Sequence, residues 1–220
     1  MPSGRALTGT VWAALVLGLW LCGQDATPSS PGLTTAPTTG DIAAAGRPPG
    51  VPLPPAHAPV AAVGPRRVEI PSIGVSAPVV PRGLDADGAI EPPPYANADT
   101  VGWYEAGTRP GAPGAALLVG HVDTETGPAV FYGLSAIRPG AEVAVTRSDG
   151  SVARFTVDDI QVLPRDGFDP RAAYGRRLPG QAELRLITCG GTFDRASGAY
   201  TANVVVSAYL TDVWEPPPDR

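Results

Sequence analysis

The chain opens on an apolar stretch unlike any later part of the sequence. Residues 6–23 carry no charged side chain, and Arg5 precedes them. Eighteen largely apolar residues are at the short end of the roughly 17–25 that cross a bilayer as a helix. A basic residue on the N-terminal side favours export of the remainder of the chain. We therefore expect residues 1–23 to form a cytoplasmic start and a single-pass membrane anchor; a cleaved signal peptide or a buried helix is the alternative.

Residues 24–65 show neither helical nor strand periodicity. They are rich in Pro, Ala, Thr, Gly and Ser, and their only charged residues are Asp25, Asp41 and Arg47. Such a composition buries too little apolar surface to offset the entropy of ordering, and its prolines favour extended chain. The pattern predicts a disordered linker that lifts an extracellular domain off the membrane, with His57 as a solvated linker residue.

From residue 66 to residue 212 the pattern changes to short β-rich runs separated by Gly, Pro and Asp turns. The candidate strands are residues 67–71, 77–80, 115–122, 142–147, 153–163, 183–189 and 203–210. Two segments, 100–107 and 128–137, are candidate short helices. This number of short strands indicates a mostly β domain, either a closed barrel or a sandwich, and we favour the barrel. Residues 213–220 form a C-terminal tail.

Composition narrows the class of protein. The formal net charge of the 220 residues is −5, which argues against a nucleic-acid partner. Two cysteines are too few for a disulfide-rich scaffold or a four-cysteine zinc site. No metal-ligand spacing or calcium-type acidic cluster stands out, so we expect no metal and no cofactor.

The two cysteines are in different parts of the chain. Cys22 lies in or next to the apolar stretch, where a small hydrophobic role is the simplest interpretation. Cys189 is thereby left without an obvious partner. An unpaired thiol in an exported domain calls for an explanation.

His121 and Cys189 each end an apolar run, ALLVGHVD and LRLITCGG respectively. A strand end delivers a side chain to a rim, and glycines after it let a substrate approach closely. A thiolate is a strong nucleophile, and an imidazole can carry the proton of a leaving group. A buried structural thiol and a core histidine are the alternatives, since the two residues are far apart in sequence.

Longer strings around these residues resemble the sortase family, specifically the class F type of actinobacteria. They are LITCGGTFDRASGAYTANVVVSA (186–208) and ALLVGHVDT (116–124), supported by RVEIPSIGVSAPVV, GWYEAGTRPGAPG and GPAVFYGL. The resemblance covers residues 66–212. It implies a closed eight-stranded β-barrel with one or two short helices, and an anchor followed by a Pro-rich spacer is the usual family layout.

The resemblance also implies an activity, that of a cysteine transpeptidase. Cys189 would attack a Leu-Pro-x-Thr-Gly-like sorting signal of a secreted protein between Thr and Gly, forming a thioacyl intermediate. An amine of a cell-wall precursor or of another protein would resolve it, and His121 would move the protons. The implied partners are these proteins, this amine and the membrane; we expect a monomer.

The third catalytic residue is where the sequence departs from the family pattern. Family members place an arginine near the cysteine to stabilise the oxyanion, but the matching position holds Asn203. Arg195 is the only arginine between Cys189 and the end of the barrel, so we predict it in this role, with Asn203 as an amide donor. Thr188 and Asp123 are predicted to contact substrate or to orient the histidine; a strand threonine and a turn aspartate are the alternatives.

The resemblance also implies a role for the segment 164–181, which lies between two predicted strands: it corresponds to the loop in which sortases bind the Leu-Pro of the signal.

Other functions fit the sequence less well. L,D-transpeptidases, another class of exported Cys/His enzyme, carry Ser-x-Gly-Cys where this chain has TCGG. NlpC/P60 peptidases have Cys before His, the opposite order. An inactive, membrane-tethered binding module is the alternative from a different class.

Overall fold

Strands dominate the computed structural model, which describes residues 52–86, 88–166 and 169–217. The only α-helix in these ranges is one short helix, α1 (Pro170–Tyr174), and single 3-10 turns occur at Pro71–Ile73, Tyr95–Asn97 and Leu134–Ala136. The strands are β1 (Pro65–Ile70), β2 (Val75–Arg82), β3 (Val101–Tyr104), β4 (Gly114–Val119), β5 (Asp123–Thr124), β6 (Gly127–Pro128), β7 (Glu142–Arg147), β8 (Val152–Pro164), β9 (Ala182–Asp194) and β10 (Ala199–Trp214).

Eight of these strands close into a barrel in the order β1-β2-β3-β4-β9-β10-β8-β7, with β7 pairing back onto β1. Most neighbours are antiparallel, but β2 pairs with β3 and β4 pairs with β9 in parallel. The short strands β5 and β6 form a separate hairpin directly after β4. The predicted mostly β, eight-stranded barrel is confirmed, and the sandwich alternative is not what the chain forms.

Strand β9 shows how the barrel separates its two faces. Leu184 and Leu186 point into the central core and are fully buried. The alternating positions face outward, because successive side chains of a strand point to opposite sides. Ile187 on this outer face is still buried, since it packs in a second apolar cluster with Ala173 of α1. The outer face of β9 is therefore mixed, with the charged residues Glu183 and Arg185 preceding the apolar Ile187.

The helices predicted at 100–107 and 128–137 are wrong. Val101–Tyr104 is the strand β3, whose backbone pairs with β2 on one side and β4 on the other. This run is too short to show a helical or strand period in its hydrophobic residues, so its pairing with two neighbouring strands decides that it is a strand. Between residues 128 and 137 the helical part is the 3-10 turn at Leu134–Ala136. Conversely, α1 lies in a segment that the sequence predicts to be a loop.

Part of the predicted linker lies against the barrel. The backbone N–H groups of His57 and Val60 donate to the carbonyls of Leu210 and Gly111, both at 2.8 Å. Tyr209 donates to the Pro54 carbonyl at 2.6 Å. Prolines have no N–H to satisfy, so a few such bonds suffice to hold an extended segment. The prediction of disorder therefore does not hold for residues 52–64, whereas residues 24–51 lie outside the described ranges.

The boundaries at the two ends also differ from the sequence prediction. Strand β10 continues to Trp214, so the barrel takes in the first two residues of the predicted tail. In the described ranges, no helix has the length and apolar character needed to cross a membrane. The predicted anchor at residues 1–23 lies outside those ranges.

Candidate active site

Cys189 is an exposed, free thiol near the end of β9. Cys189 is two residues after Ile187 on the same strand, so its side chain also points to the outer face of the barrel, at the rim. Directly after it, β9 makes a bulge: Ala202 pairs with Gly190 and Tyr200 with Phe193, so β9 carries one extra residue. Bulges of this kind end regular pairing and re-aim side chains.

Gly191 is the residue that allows the bulge. Its φ is +76°, and a Cβ built on it would lie 2.6 Å from Thr201 Oγ1. A left-handed backbone beside so close a contact admits glycine and little else. The second glycine of the TCGG motif therefore shapes the backbone next to the thiol.

The parallel pairing of β4 and β9 places His121 level with Cys189. The register runs from Gly114↔Ala182 to Val119↔Ile187, and the Gly120 N–H extends it by donating to the Ile187 carbonyl at 3.1 Å. The same offset brings residue 121 opposite residue 189. Adjacent strands are about 4.8 Å apart, so residues distant in sequence arrive at one point of the rim.

The imidazole of His121 is buried and fixed from two sides. Its Nε2 lies 2.6 Å from the carbonyl oxygen of Pro93, and its ring stacks on Tyr95 with centroids 4.2 Å apart. A carbonyl can only accept a hydrogen bond, so Nε2 carries a proton. In the neutral ring, Nδ1 is then the atom that can take a proton, and in the charged ring it can return it.

Asn203 lies on the same face of the barrel wall as the thiol, and Thr188 lies on the opposite, inner face. Asn203 of β10 is the direct partner of Cys189 across the ladder, so its amide shares the outer face with the sulfur. Thr188 is 2% exposed and pairs with the core residue Val204. Its hydroxyl has no hydrogen-bond partner among the described residues. The alternation of β9 thus argues against the predicted contact between the Thr188 side chain and substrate.

Arg195 lies in the turn that joins β9 and β10, several residues beyond the thiol along the chain. Arg195 is exposed in the turn between Asp194, the last residue of β9, and Ala199, the first of β10. Five residues, Gly190 to Asp194, lie between it and Cys189, which is roughly 15–20 Å between the two Cα atoms at the rise of a β-strand. This distance argues against the predicted oxyanion role of Arg195.

A different arginine, Arg165, lies beside the thiol. Leu163 of β8 pairs with Asn203, which pairs with Cys189, so the three residues form one row across the outer face. Arg165 is two residues beyond Leu163 and therefore on the same face; its N–H donates to the Thr201 carbonyl at 2.9 Å. The positive charge of Arg165 acts on Cys189 by lowering the pKa of the thiol.

Asp123 has a partner other than the histidine. Its carboxylate accepts a hydrogen bond from the hydroxyl of Tyr200 on β10. Burial and this carboxylate together raise the pKa of Tyr200 to about 12, so the phenol stays a donor. The pair ties the turn after His121 to the strand opposite Cys189. A direct orienting contact of Asp123 with the imidazole is not the arrangement found.

The thiol is held mainly in its protonated form. The surrounding protein removes water from one side of the sulfur, and this burial raises the pKa of Cys189. Arg165 lowers the pKa and Asp123 raises it, but burial is the largest influence. The thiolate needed for nucleophilic attack is therefore a smaller fraction at neutral pH than for an ordinary cysteine.

Next to the outer face of β9 lies an apolar cluster that the segment with α1 partly covers. Leu117, Ile187 and Val205 form its floor with Ala173 of α1, and half-buried Val119 and Leu163 extend it towards the rim. A buried ion pair fixes the covering segment: Arg185 donates to Glu183 at 2.6 Å and to the Gly175 carbonyl at 2.8 Å. The result is a second, outer apolar cluster that α1 covers and whose half-buried end lies towards Cys189.

Sequence reasoning missed Arg165, Tyr95 and Tyr200. Extending the predicted strand 153–163 by two residues would have placed Arg165 on the face of Leu163. Nothing in the sequence pairs Tyr95 with the histidine or Tyr200 with Asp123, because those contacts depend on loop paths. Among the described residues, no group of three or more His, Cys, Asp or Glu side chains is arranged to hold a metal ion.

Comparison with solved structures supports the same fold. Sortase C-1 of Actinomyces oris is 24% identical with a TM-score of 0.50, over 66% of this chain and 73% of that chain. A lid mutant of Corynebacterium diphtheriae sortase A is 18% identical with a TM-score of 0.51, over 71% and 73% of the two chains. Listeria monocytogenes sortase A is 18% identical with a TM-score of 0.51, over 70% and 90%.

Comparison with curated proteins gives no match. The sequence model of the sortase domain matches residues 68–211, which is more than half of the chain and spans the barrel. That stretch includes both the thiol at the end of β9 and the imidazole after β4. The chain therefore belongs to the sortase family of cysteine transpeptidases.

Proposed function

We propose that this sortase is a class F-type enzyme of an actinobacterium, anchored in the cell membrane by residues 1–23 with its barrel outside the cell. It cleaves a Leu-Pro-x-Thr-Gly-like sorting signal between Thr and Gly and joins the protein to an amine of the cell wall or of another protein. The observation that carries this proposal is the parallel β4–β9 register, which brings His121 level with the exposed thiol of Cys189.

The partly buried apolar side chains near the thiol support a peptide substrate with apolar residues before the cleaved bond. The half-buried side chains of Val119 and Leu163, at the end of this cluster towards the thiol, meet the Leu-Pro part of the signal, and the scissile carbonyl then lies at Cys189. The sulfur bonds to that carbonyl carbon, and the C–N bond to glycine breaks. His121 Nδ1 takes the proton of the thiol and passes it to the leaving amine.

Arg165 is the group that stabilises the oxyanion. Its place on the face of Cys189 brings a permanent positive charge to the thiol, and a guanidinium donates strongly to oxygen anions. Asn203 adds an amide on the same row. Both groups stabilise the negative charge that develops on the carbonyl oxygen in the transition state. Stabilisation of this kind is usually the largest single source of rate enhancement in acyl transfer.

The activity is tested with a fluorogenic Leu-Pro-x-Thr-Gly peptide and the full-length chain. We expect cleavage between Thr and Gly, and a covalent adduct of the N-terminal fragment on Cys189 detectable by mass spectrometry. Cys189→Ala removes the nucleophile and should abolish both. Failure to cleave any member of a library of sorting-like peptides, with a thiol that also resists alkylation, would reject the enzyme.

The arginine assignment is tested by comparing Arg165→Ala with Arg195→Ala. Loss of one oxyanion donor should lower kcat/KM of Arg165→Ala by about 10²–10³-fold. Arg195→Ala removes an exposed turn residue and should change kcat/KM by no more than about twofold. Arg165→Lys keeps the charge without the planar fork and should recover part of the loss. The reverse ranking of the two alanine variants would restore Arg195 to the role.

A further inference from the structure

Tyr200 joins the two elements that lie on either side of the strand that carries the nucleophile. In the barrel, β9 runs between β4 and β10. The hydroxyl of Tyr200 on β10 donates to the carboxylate of Asp123, which begins β5 in the chain that continues from β4. Two strand spacings are roughly 10 Å, so the two side chains together span the width of β9. The proposed acyl transfer makes no use of this bond.

The bond lies where β9 loses one of its two neighbours. This strand pairs with β4 as far as Ile187 and with β10 alone beyond that residue. Cys189 is two residues past this point, and the bulge at Gly191 follows it. Backbone with few hydrogen bonds opens more easily than backbone paired on both sides. The barrel ladder therefore does not by itself fix the distance between Cys189 and His121.

The ring of Tyr200 is braced from β9 and lies near the sulfur. Phe193 is its direct partner across the hairpin, and the two rings meet edge to face with centroids 5.2 Å apart, a favoured aromatic geometry. Burial, the bond to Asp123 and the charges of Asp123 and Cys189 raise the pKa of Tyr200 to about 12. The hydroxyl is therefore a donor at neutral pH, and it is close enough to Cys189 for the two groups to interact.

The other end of the bond is tied to the imidazole through a short turn. Asp123 is two residues after His121. The carbonyl of His121 accepts from the Phe131 N–H at 2.9 Å. The carbonyl of Val122 accepts from the Ala129 N–H at 3.0 Å. Residues 121–123 are thus one held turn, so a restraint on Asp123 is also a restraint on His121.

We propose that Tyr200 is a positioning residue that holds Cys189 at the distance from His121 needed for proton transfer; this rests on the proposed transpeptidase function. Its bond to Asp123 takes the place of the β4–β9 ladder where that ladder has ended. The imidazole takes the thiol proton and passes it to the leaving amine, and both steps need the two atoms within hydrogen-bond reach. Loss of the bond lets the elements on either side of β9 move apart, and the proton transfers slow down.

The experiment measures kcat and KM of the full-length chain with the fluorogenic sorting peptide. Tyr200→Phe keeps the ring and its contact with Phe193 but loses the hydroxyl. We expect kcat to fall about 10- to 100-fold, since misplacement of a reacting group by about 1 Å can cost about 100-fold. KM should change by no more than about twofold, because binding of the peptide does not depend on the bond.

Tyr209→Phe is the matched control. It removes the hydroxyl of another tyrosine of β10, which donates to the Pro54 carbonyl. The variant loses a hydrogen bond of the same kind on the same strand, but not the link to Asp123. Its kcat and KM should equal those of the unmodified chain, so the pair of variants separates positioning from a general loss of stability.

A second comparison separates the bond from the charge of Asp123. Asp123→Asn and Asp123→Ala remove the same negative charge near the thiol, but only asparagine keeps an oxygen that accepts from Tyr200. The kcat of Asp123→Asn should therefore exceed that of Asp123→Ala about five- to tenfold. Adding Tyr200→Phe to Asp123→Ala should cause no more than about a twofold further loss, because the two changes break one interaction.

Equal kcat values for Tyr200→Phe and Tyr209→Phe would overturn the proposal. A loss confined to KM would also overturn it, because Tyr200 would then be a substrate contact. An enzyme that never acylates Cys189 rejects the proposed function instead. Amide hydrogen exchange of residues 188–200 then still tests the bond: exchange should be at least about tenfold faster in Tyr200→Phe than in Tyr209→Phe. Equal exchange in the two variants would reject the restraint.

Discussion

His121 and Cys189 are controlled by different neighbours. The Pro93 carbonyl and the Tyr95 ring set which nitrogen of His121 is free to exchange a proton. Burial, Arg165 and Asp123 set how readily the thiol of Cys189 ionises. Because the two sets do not overlap, the basicity of the sulfur can be changed without disturbing the imidazole.

Asp123→Asn should make the thiol more reactive. The carboxylate of Asp123 raises the pKa of Cys189, so removing its charge lowers that pKa and increases the thiolate fraction at pH 7. Asparagine keeps an oxygen that can accept from Tyr200. The rate of iodoacetamide alkylation at pH 7 should rise about two- to fivefold, as expected for loss of one exposed charge interaction.

Arg165→Ala provides the control of opposite sign for this measurement. Its guanidinium lowers the pKa of Cys189, so alkylation at pH 7 should slow down in the variant. Both rates should approach that of the unmodified chain when the pH is well above the thiol pKa, where every molecule is thiolate. Slower alkylation of Asp123→Asn would contradict the electrostatic account.

At the scale of single residues, the sequence identified the two reactive residues better than it identified the side chains that surround them. Cys189 and His121 stand out because each ends an apolar run before glycine or aspartate, a local signal. The roles of Arg195, Thr188 and Asp123 depended on which face or loop each side chain occupies. The alternation of faces along β9 argues against the role of Thr188, and the length of the β9–β10 hairpin argues against that of Arg195; neither can be read from residue type.

Among the elements, β9 performs two tasks in succession. Up to Ile187 it is a regular barrel strand paired on both sides, and beyond that residue it continues as a hairpin paired with β10 alone. The bulge at Gly191 marks the change. A regular ladder there would leave no break in pairing beside the nucleophile.

Gly191→Ala should destabilise the protein more than Gly198→Ala. Both glycines have a positive φ, +76° and +65°, but only at Gly191 would the new Cβ meet other atoms within 3 Å. We expect the free energy of unfolding to fall by about 2–4 kcal/mol for Gly191→Ala, the sum of backbone strain and overpacking. Gly198→Ala has the backbone strain alone and should lose about 1–2 kcal/mol.

Urea denaturation of the two variants makes the comparison. Gly191→Ala should also lose peptide cleavage, because the strained bulge lies next to the thiol, whereas Gly198→Ala should keep it. Equal losses of stability in the two variants would show that the contact with Thr201 is relieved at no cost.

The sequence predicted long strands well and short elements poorly. The runs that became β7, β8, β9 and β10 are long enough to show a β-rich composition bounded by turns. Strand β3 has four residues, and its pairing with β2 and β4 decides its conformation. Helix α1 has five residues and docks through Ala173 on the outer cluster, a contact that local sequence does not reveal.

At the scale of the whole molecule, the segment 52–64 belongs to the folded unit. Its bonds reach β10, the turn before β4 and the buried Arg147, whose Nη1 donates to the Ala61 carbonyl at 3.0 Å. Arg147 is 2% exposed, so losing that acceptor would leave a buried charged donor less satisfied.

A chain that begins at residue 65 should therefore be less stable than one that begins at residue 52. The hydrogen bonds that this segment makes through Pro54, His57, Val60 and Ala61 contribute about 0.5–1.5 kcal/mol each, so we expect a loss of about 2–6 kcal/mol in the free energy of unfolding. Parallel urea titrations measure the difference. Identical midpoints and slopes would show that the segment rests on the barrel without stabilising it.

The parallel ladder between β4 and β9 has a consequence for how the enzyme can diversify. The constant register between the two strands brings His121 level with Cys189. The path that the chain takes between the strands has no part in this alignment. The β5–β6 hairpin and the segment with α1 lie between those strands in sequence, yet their lengths do not enter the offset. Insertions and deletions there can alter which molecules are joined while the bond-making atoms keep their spacing. Substrate recognition and catalysis can therefore change independently of each other in this fold.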